Sequence, residues 1–225
     1  MPLSLPLSPT LPTTLLLIDN QTGFLTDAAS AYFGPSRSNP NYEKNMQSLL
    51  SAFRSARHHQ NKNNKNSNNN NISIIHIAHS SLDPACPLHP SHPSNGIAFI
   101  PFAAPDEGAG SDEPVLWKCV NSAFIGTELE AMLRARGTRQ LVVAGLTTDH
   151  CVSTSVRMAA NLGVVNGGGG GGEKGRILLV GDACSAFEKG GFDAETVHAV
   201  SLASLDGEFA EVVGTAEVVA GLGGV

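Results

Sequence analysis

The feature that most restricts this chain is a set of apolar runs that do not alternate. Thr14-Leu15-Leu16-Leu17-Ile18, Ile72-Ser73-Ile74-Ile75-His76-Ile77-Ala78 and Gln140-Leu141-Val142-Val143-Ala144 are nearly unbroken stretches of large aliphatic residues. A strand with one wet face reads apolar-polar-apolar; an unbroken run of strand length belongs in a sheet buried on both faces. Helical patterns lie between the runs. Met46, Leu49, Leu50 and Phe53 recur at helical spacing within residues 42–58. Thr127-Glu128-Leu129-Glu130 reads as a capping box opening a helix that stops at Gly137. A third pattern carries Val152, Val156, Ala159 and Ala160 and ends at Gly163, and a fourth covers residues 193–204. Short strands are expected at Val115-Leu116-Trp117, over residues 176–181 and at Glu211-Val212-Val213. Alternation of this kind requires a mostly parallel sheet covered by helices on both sides, an α/β fold.

Two segments cannot contribute to a core. Residues 59–71 are almost entirely Asn, and Gly167 to Gly172 is an unbroken glycine run within a second insert spanning 166–175. Both fall between a helix and the next strand, so both map to the end of the sheet opposite the strand carboxyl termini, where insertion is tolerated. The domain itself is expected over residues 14–225, behind a loose Pro-rich tail at 1–13 with no basic residue and no unbroken apolar core of the secretory kind. Segments 20–40 and 79–113 read as loops, and a loop as long as the second is commonly functional.

A net charge of −6, with no dense run among the 14 Lys and Arg residues, argues against a nucleic-acid partner. No apolar run approaches membrane-span length. Cys86, Cys119, Cys151 and Cys184 are scattered and form no CxxC pair, which points to free thiols in a cytoplasmic compartment rather than a disulfide framework or zinc ribbon.

Three chemically capable residues share one topological address. Asp19 ends the first run, Lys118 ends the third strand, and Cys151 follows Gln140–Ala144 in the first turn of the next helix. All three map to the carboxyl edge of a parallel sheet, where open α/β proteins form their crevice. With strand order 3-2-1-4-5, Lys118 lies two strands from Asp19, about 10 Å away, a gap a lysine stem largely spans. Cys151 follows a strand-to-helix turn of the nucleophile-elbow type, where free amides and the helix dipole favour a thiolate. Asp19 can take the thiol proton, Lys118 can favour the charged forms of both partners, and the turn amides can meet an oxyanion. Taken singly, the same residues also fit a helix cap, a solvated lysine and a core cysteine.

Three stretches carry a family resemblance. Leu15-Leu16-Leu17-Ile18-Asp19-Asn20-Gln21-Thr22-Gly23-Phe24 resembles the opening motif of the isochorismatase-like cysteine hydrolases. Trp117-Lys118-Cys119-Val120-Asn121-Ser122-Ala123-Phe124 is similar to their K-x-x-x-S-A-F segment, and Gly145-Leu146-Thr147-Thr148-Asp149-His150-Cys151-Val152 to their G-x-x-T-x-x-C-V signature. The resemblance implies a three-layer α/β/α Rossmann-like domain and a catalytic set of Asp19, Lys118 and Cys151. It also implies a cis peptide at Leu146–Thr147, oxyanion donors from the amides of Thr147 and Cys151, and assembly into dimers or tetramers. The metal motif of the nicotinamidase branch is not reproduced by His79-Ser80-Ser81-Leu82-Asp83-Pro84, and His89 and His92 read as ordinary loop residues. Neither a metal nor a cofactor is therefore expected.

The resulting expectation is a hydrolase that cleaves the C–N bond of a small amide or related acyl compound through a Cys151 thioester. Phe24 and Trp117 are candidate walls of the substrate pocket, or else core residues. Two rivals stand beside it: vinyl-ether hydrolysis of the isochorismatase type using Asp19, and an idle binding or scaffold member of the family.

Overall fold

The computed structural model describes residues 7–8, 10–63, 71–106, 108, 112–167 and 174–223, with residues 61–63 described by backbone alone. Six parallel strands form one sheet: β1 (Thr13–Ile18), β2 (Ile72–His79), β3 (Val115–Lys118), β4 (Gln140–Leu146), β5 (Arg176–Ser185) and β6 (Glu211–Val213). Their spatial order is β3-β2-β1-β4-β5-β6. The direction of winding thus reverses between β1 and β4, and the switch point lies where Asp19 and the Cys151 turn emerge.

Unbroken apolar runs arise because alternate residues serve opposite layers. Leu15, Leu17, Ile74, Val142, Ala144, Leu178 and Val180 face one core. Leu16, Ile18, Ile75, Ile77, Leu141, Val143 and Leu179 face the other. The first core is closed by α2 (Tyr42–Asn63) through Tyr42, Met46, Leu49, Leu50 and Phe53, and by α6 (Thr215–Gly221) through Val218. The second is closed by Leu129 and Leu133 of α3 (Leu129–Ala135), and by Val156 and Ala159 of α4 (Ser153–Leu162). The remaining helices are α1 (Asp27–Tyr32) and α5 (Ala194–Ala203). The three-layer α/β/α arrangement follows from this two-sided burial.

Several elements differ from the sequence reading. Segment 20–40 is not all loop; it holds a tight helical turn at Thr22–Phe24 and α1. Helix α2 continues past His58 through Asn63, into the Asn-rich segment, whose residues 64–70 lie outside the described residues. Asp182-Ala183-Cys184-Ser185 belongs to β5 instead of following it, since small and apolar residues there pair onward with β4 at Gly145 and Leu146. The capping box does not form: Glu130 bonds Arg134 one turn on, while the Thr127 hydroxyl accepts from the Leu129 amide. Within segment 1–13, Leu7 is buried and Thr13 already pairs in β1; residues 1–6 and 9 lie outside the described residues. Residues 168–173 of the glycine-rich insert do so as well. No helix among the described residues is long and apolar enough to cross a membrane. The four cysteines are unpaired.

Candidate active site

Strand β1 stops at Asp19 because the backbone there turns into the left-handed region, with φ +51°. That conformation is uncommon outside glycine, and acidic and amide residues tolerate it better than most. The Asp19 amide donates to the Ile77 carbonyl, fixing the turn against β2, and its side chain is fully buried. Two residues on, the buried Gln21 carboxamide acts as a clamp. Its Nε2 donates to the carbonyls of His79 and Ile97, and its Oε1 accepts the His79 amide at 2.7 Å. The end of β2 and the long loop over residues 80–114 are thereby stitched to the Asp19 turn.

On the other side of the switch point, Gly145 has φ +134°, and a Cβ there would lie 2.0 Å from the Ile18 carbonyl oxygen. Only glycine lets β4 pass this close to β1. The Leu146–Thr147 peptide is cis. The chain then enters a π-helical turn, Thr148–Val152, that leads into α4. Thr148 Oγ1 lies 2.8 Å from Nδ1 of His198 on α5, and Asp149 Oδ2 accepts from Lys189 at 2.6 Å, so the Cys151 turn is held on two sides. Ser155 on α4 accepts the Ala123 amide at 3.0 Å, which ties the segment after β3 to the same helix.

The three residues expected at the site meet. Lys118 Nζ lies 2.6 Å from Asp19 Oδ2 and 3.3 Å from Cys151 Sγ, with Lys118 and Asp19 side chains wholly shielded from solvent. Asp19 Oδ1 is buried without a hydrogen-bond partner among the described residues. A fourth residue joins them: His79 Nδ1 lies 3.0 Å from Lys118 Nζ. Register explains why, since His79 pairs directly with Lys118 across β2 and β3. The sequence carries one signal for His79: a histidine ending a buried run at the carboxyl edge, the same address as Asp19 and Lys118.

Electrostatics correct one expectation. Burial first, and then the Asp19 carboxylate, push the Cys151 thiol well above its ordinary value, and Lys118 only partly offsets them. Burial and the carboxylate thus oppose the preformed thiolate that dipole and cation alone suggest. Burial pulls Lys118 down, but the Asp19 carboxylate and the Cys151 sulfur outweigh it and hold the ammonium above its usual range. Burial and the Lys118 charge push His79 below its ordinary value.

A cavity of about 310 Å³ opens onto this cluster, lined by His79, Thr147 and Cys151 together with the aromatic rings of Phe24, Tyr32 and Phe33. Phe24 and Phe33 stack with centroids 4.8 Å apart. Asn121, His150 and Lys189 add polar groups to the lining, and Asn121 Oδ1 lies 4.0 Å from Cys151 Sγ. Phe24 thus lines the cavity as expected, whereas Trp117 does not. Neighbours on a strand point to opposite faces, so Trp117 turns away from Lys118; it is 47% exposed on edge strand β3, beside Phe99.

Asp19, His79 and Cys151 bring an oxygen, a nitrogen and a sulfur within 4.8 Å of one another, a donor set metals can take. Here the Lys118 ammonium already bonds all three. His89 and His92 accept hydrogen bonds from their own loop, from the amides of Ser91 and Ser94.

Comparison with known proteins agrees with this architecture. The isochorismatase domain matches residues 13–217. The crystal structure of a putative hydrolase of the isochorismatase family from Chromobacterium violaceum is 37% identical, covers 100% of both chains and has a TM-score of 0.77. A cysteine hydrolase from Pseudomonas syringae, 23% identical, shares the fold with a TM-score of 0.73 and 99% coverage of both chains. An uncharacterized isochorismatase family protein of Bacillus subtilis, YrdC, is 39% identical over 113 residues, 48% of this chain and 54% of that protein. The ureidoacrylate amidohydrolase RutB of Acinetobacter baylyi is 45% identical over 47 residues, 21% of this chain and 19% of RutB. The match therefore spans about half the length of the first of these curated relatives and a fifth of RutB. With a family match over residues 13–217 and a fold that agrees with it, the chain belongs to the isochorismatase family.

Proposed function

We propose that the protein is a cysteine hydrolase that cleaves the C–N bond of a small amide or related acyl compound, with Asp19, Lys118 and Cys151 as its catalytic residues. The observation that carries this reading is one ammonium, Lys118 Nζ, bonded to both a buried carboxylate and a buried thiol beneath a cavity. Cys151 starts as a thiol, so attack on the substrate carbonyl is coupled to transfer of the sulfhydryl proton to Asp19. Amides of Thr147 and Cys151 receive the developing oxyanion. Collapse of the tetrahedral adduct breaks the C–N bond, and Asp19 returns the proton to the departing nitrogen. Water, deprotonated by Asp19, then cleaves the thioester and regenerates the thiol. The partial likeness to an amidohydrolase supports the C–N choice.

Mass spectrometry during an amide-library screen tests this directly. An acyl adduct on Cys151 is expected, with turnover abolished in both Cys151→Ala and Asp19→Asn. Undiminished hydrolysis by Cys151→Ala would refute the covalent route and point to the vinyl-ether chemistry of the isochorismatase type.

A further inference from the structure

Lys118 carries three ammonium hydrogens, and three acceptors surround it: Asp19 Oδ2 at 2.6 Å, His79 Nδ1 at 3.0 Å and Cys151 Sγ at 3.3 Å. An ammonium only donates, so the His79 nitrogen facing it must offer a lone pair. The ring proton of a neutral His79 then resides on Nε2, which has no partner among the described residues, while the ring itself lines the cavity. The His79 backbone is held at both its amide and its carbonyl by the Gln21 side chain, so the ring approaches Lys118 from a fixed base.

We propose that His79 is a positioning residue of the active site, whose unprotonated Nδ1 takes the third hydrogen of Lys118 and so aims the ammonium at Asp19 and Cys151 together. This rests on the catalytic reading above, although its first test does not. A lysine stem is flexible, and two acceptors leave the ammonium free to rotate about the line between them. A third acceptor removes that freedom. Protonation of His79 reverses the arrangement, because Nδ1–H cannot accept and an imidazolium would stand beside an ammonium. The charged and titratable groups around His79 are Lys118 on β3, Asp19 at the end of β1 and Cys151 after β4, with Tyr32, Cys86, His150 and Lys189 lining the same cavity. The downward push on His79 from burial and from Lys118 keeps the ring neutral through the neutral pH range.

Nitrogen-15 imidazole NMR of the resting protein, with the His79 signal assigned by its loss in His79→Asn, reads the tautomer without any substrate. A neutral ring protonated at Nε2 is expected at pH 7. A ring protonated at Nδ1, or an imidazolium, overturns the proposal whether or not an amide substrate is found. The second readout is the pH profile of kcat. His79→Phe, which removes the acceptor, should lower kcat about a hundredfold with KM little changed. His79→Asn, whose side-chain oxygen can accept but does not titrate, should recover most of that loss and lack the acid limb that His79 gives the parent protein. Superposable acid limbs for His79→Asn and the parent, or equal kcat for His79→Phe and the parent, would count against it.

Discussion

Two residues at the switch point show how little tolerance the site has. A methyl group on Gly145 would meet the Ile18 carbonyl oxygen at 2.0 Å, and that oxygen belongs to the backbone of the paired central strand and cannot swing aside. Gly145→Ala is expected to destabilise the fold by about 3 kcal/mol or more, as overpacking and a forbidden φ combine, and denaturant unfolding will show it. Asp19 makes a sharper prediction because it has two effects of opposite sign on Cys151. In the proposed mechanism it is the base that turnover needs, yet its charge pushes the thiol's pKa upward. Asp19→Asn should therefore eliminate turnover while making Cys151 alkylate faster with iodoacetamide at pH 7–8, since Lys118 is left to favour the thiolate unopposed. Slower alkylation in that variant would contradict the assigned balance of charges. The convergence of Asp19, Lys118 and Cys151 was legible in the sequence because two of them close strands and the third lies in the turn that follows one, all at the carboxyl edge. Trp117 stays out of the cavity because strand parity sets adjacent residues on opposite faces.

Among elements, the Gln21 clamp and the π-helical turn do the positioning. The buried Gln21 side chain makes three hydrogen bonds to the backbone of β2 and the loop behind it. Gln21→Leu keeps the size but strands an amide and two carbonyls, so a loss of about 3 kcal/mol is expected in urea unfolding, with a larger drop in activity than in secondary structure. The Cys151 turn leans on α5 through the contact between Thr148 and His198. None of this was readable beforehand. Periodicity reports which face of an element is apolar, but a clamp between a side chain and a backbone 58 residues away leaves no local pattern. The same limit explains α1 and the extension of α2 into the Asn-rich run, where propensity is poor and continuation of an anchored helix outweighs it.

For the molecule as a whole, the parallel sheet and both cores were implied by the apolar runs, because two-sided burial is a demand that few folds meet. The long loop after β2 was expected but its conformation was not, and one buried carboxylate shows what closes it. Glu113 accepts from Arg54, Arg57 and the Asp106 amide and lies 3.1 Å from His76 Nε2, which joins the loop's end to α2 and β2. Burial pulls its pKa upward, but the bonds from Arg54 and His76 win and hold the carboxyl well below its usual 4.5. A depressed folded value means the stabilisation is complete above about pH 4.5 and is lost as pH falls through the folded value. His76, lowered from 6.5 by burial, acts in the same direction, because the unfolded chain takes up its proton first as pH drops below that value. Melting temperatures between pH 3 and 7 should fall steadily toward acid in the parent protein and more gently in Glu113→Gln. Glu113→Ala should cost about 2–3 kcal/mol at pH 7, near the low end for a broken buried ion pair because the Arg54 side chain remains 32% exposed.

A final consequence follows from how completely Lys118 is engaged. An ammonium that has already promised every hydrogen has none left to donate to a guest. In the mechanism proposed above, hydrogen bonding to a charged substrate oxygen falls to main-chain amides beside the thiol, and enlarging the lysine's role in any redesigned variant would first require releasing one of its three present companions.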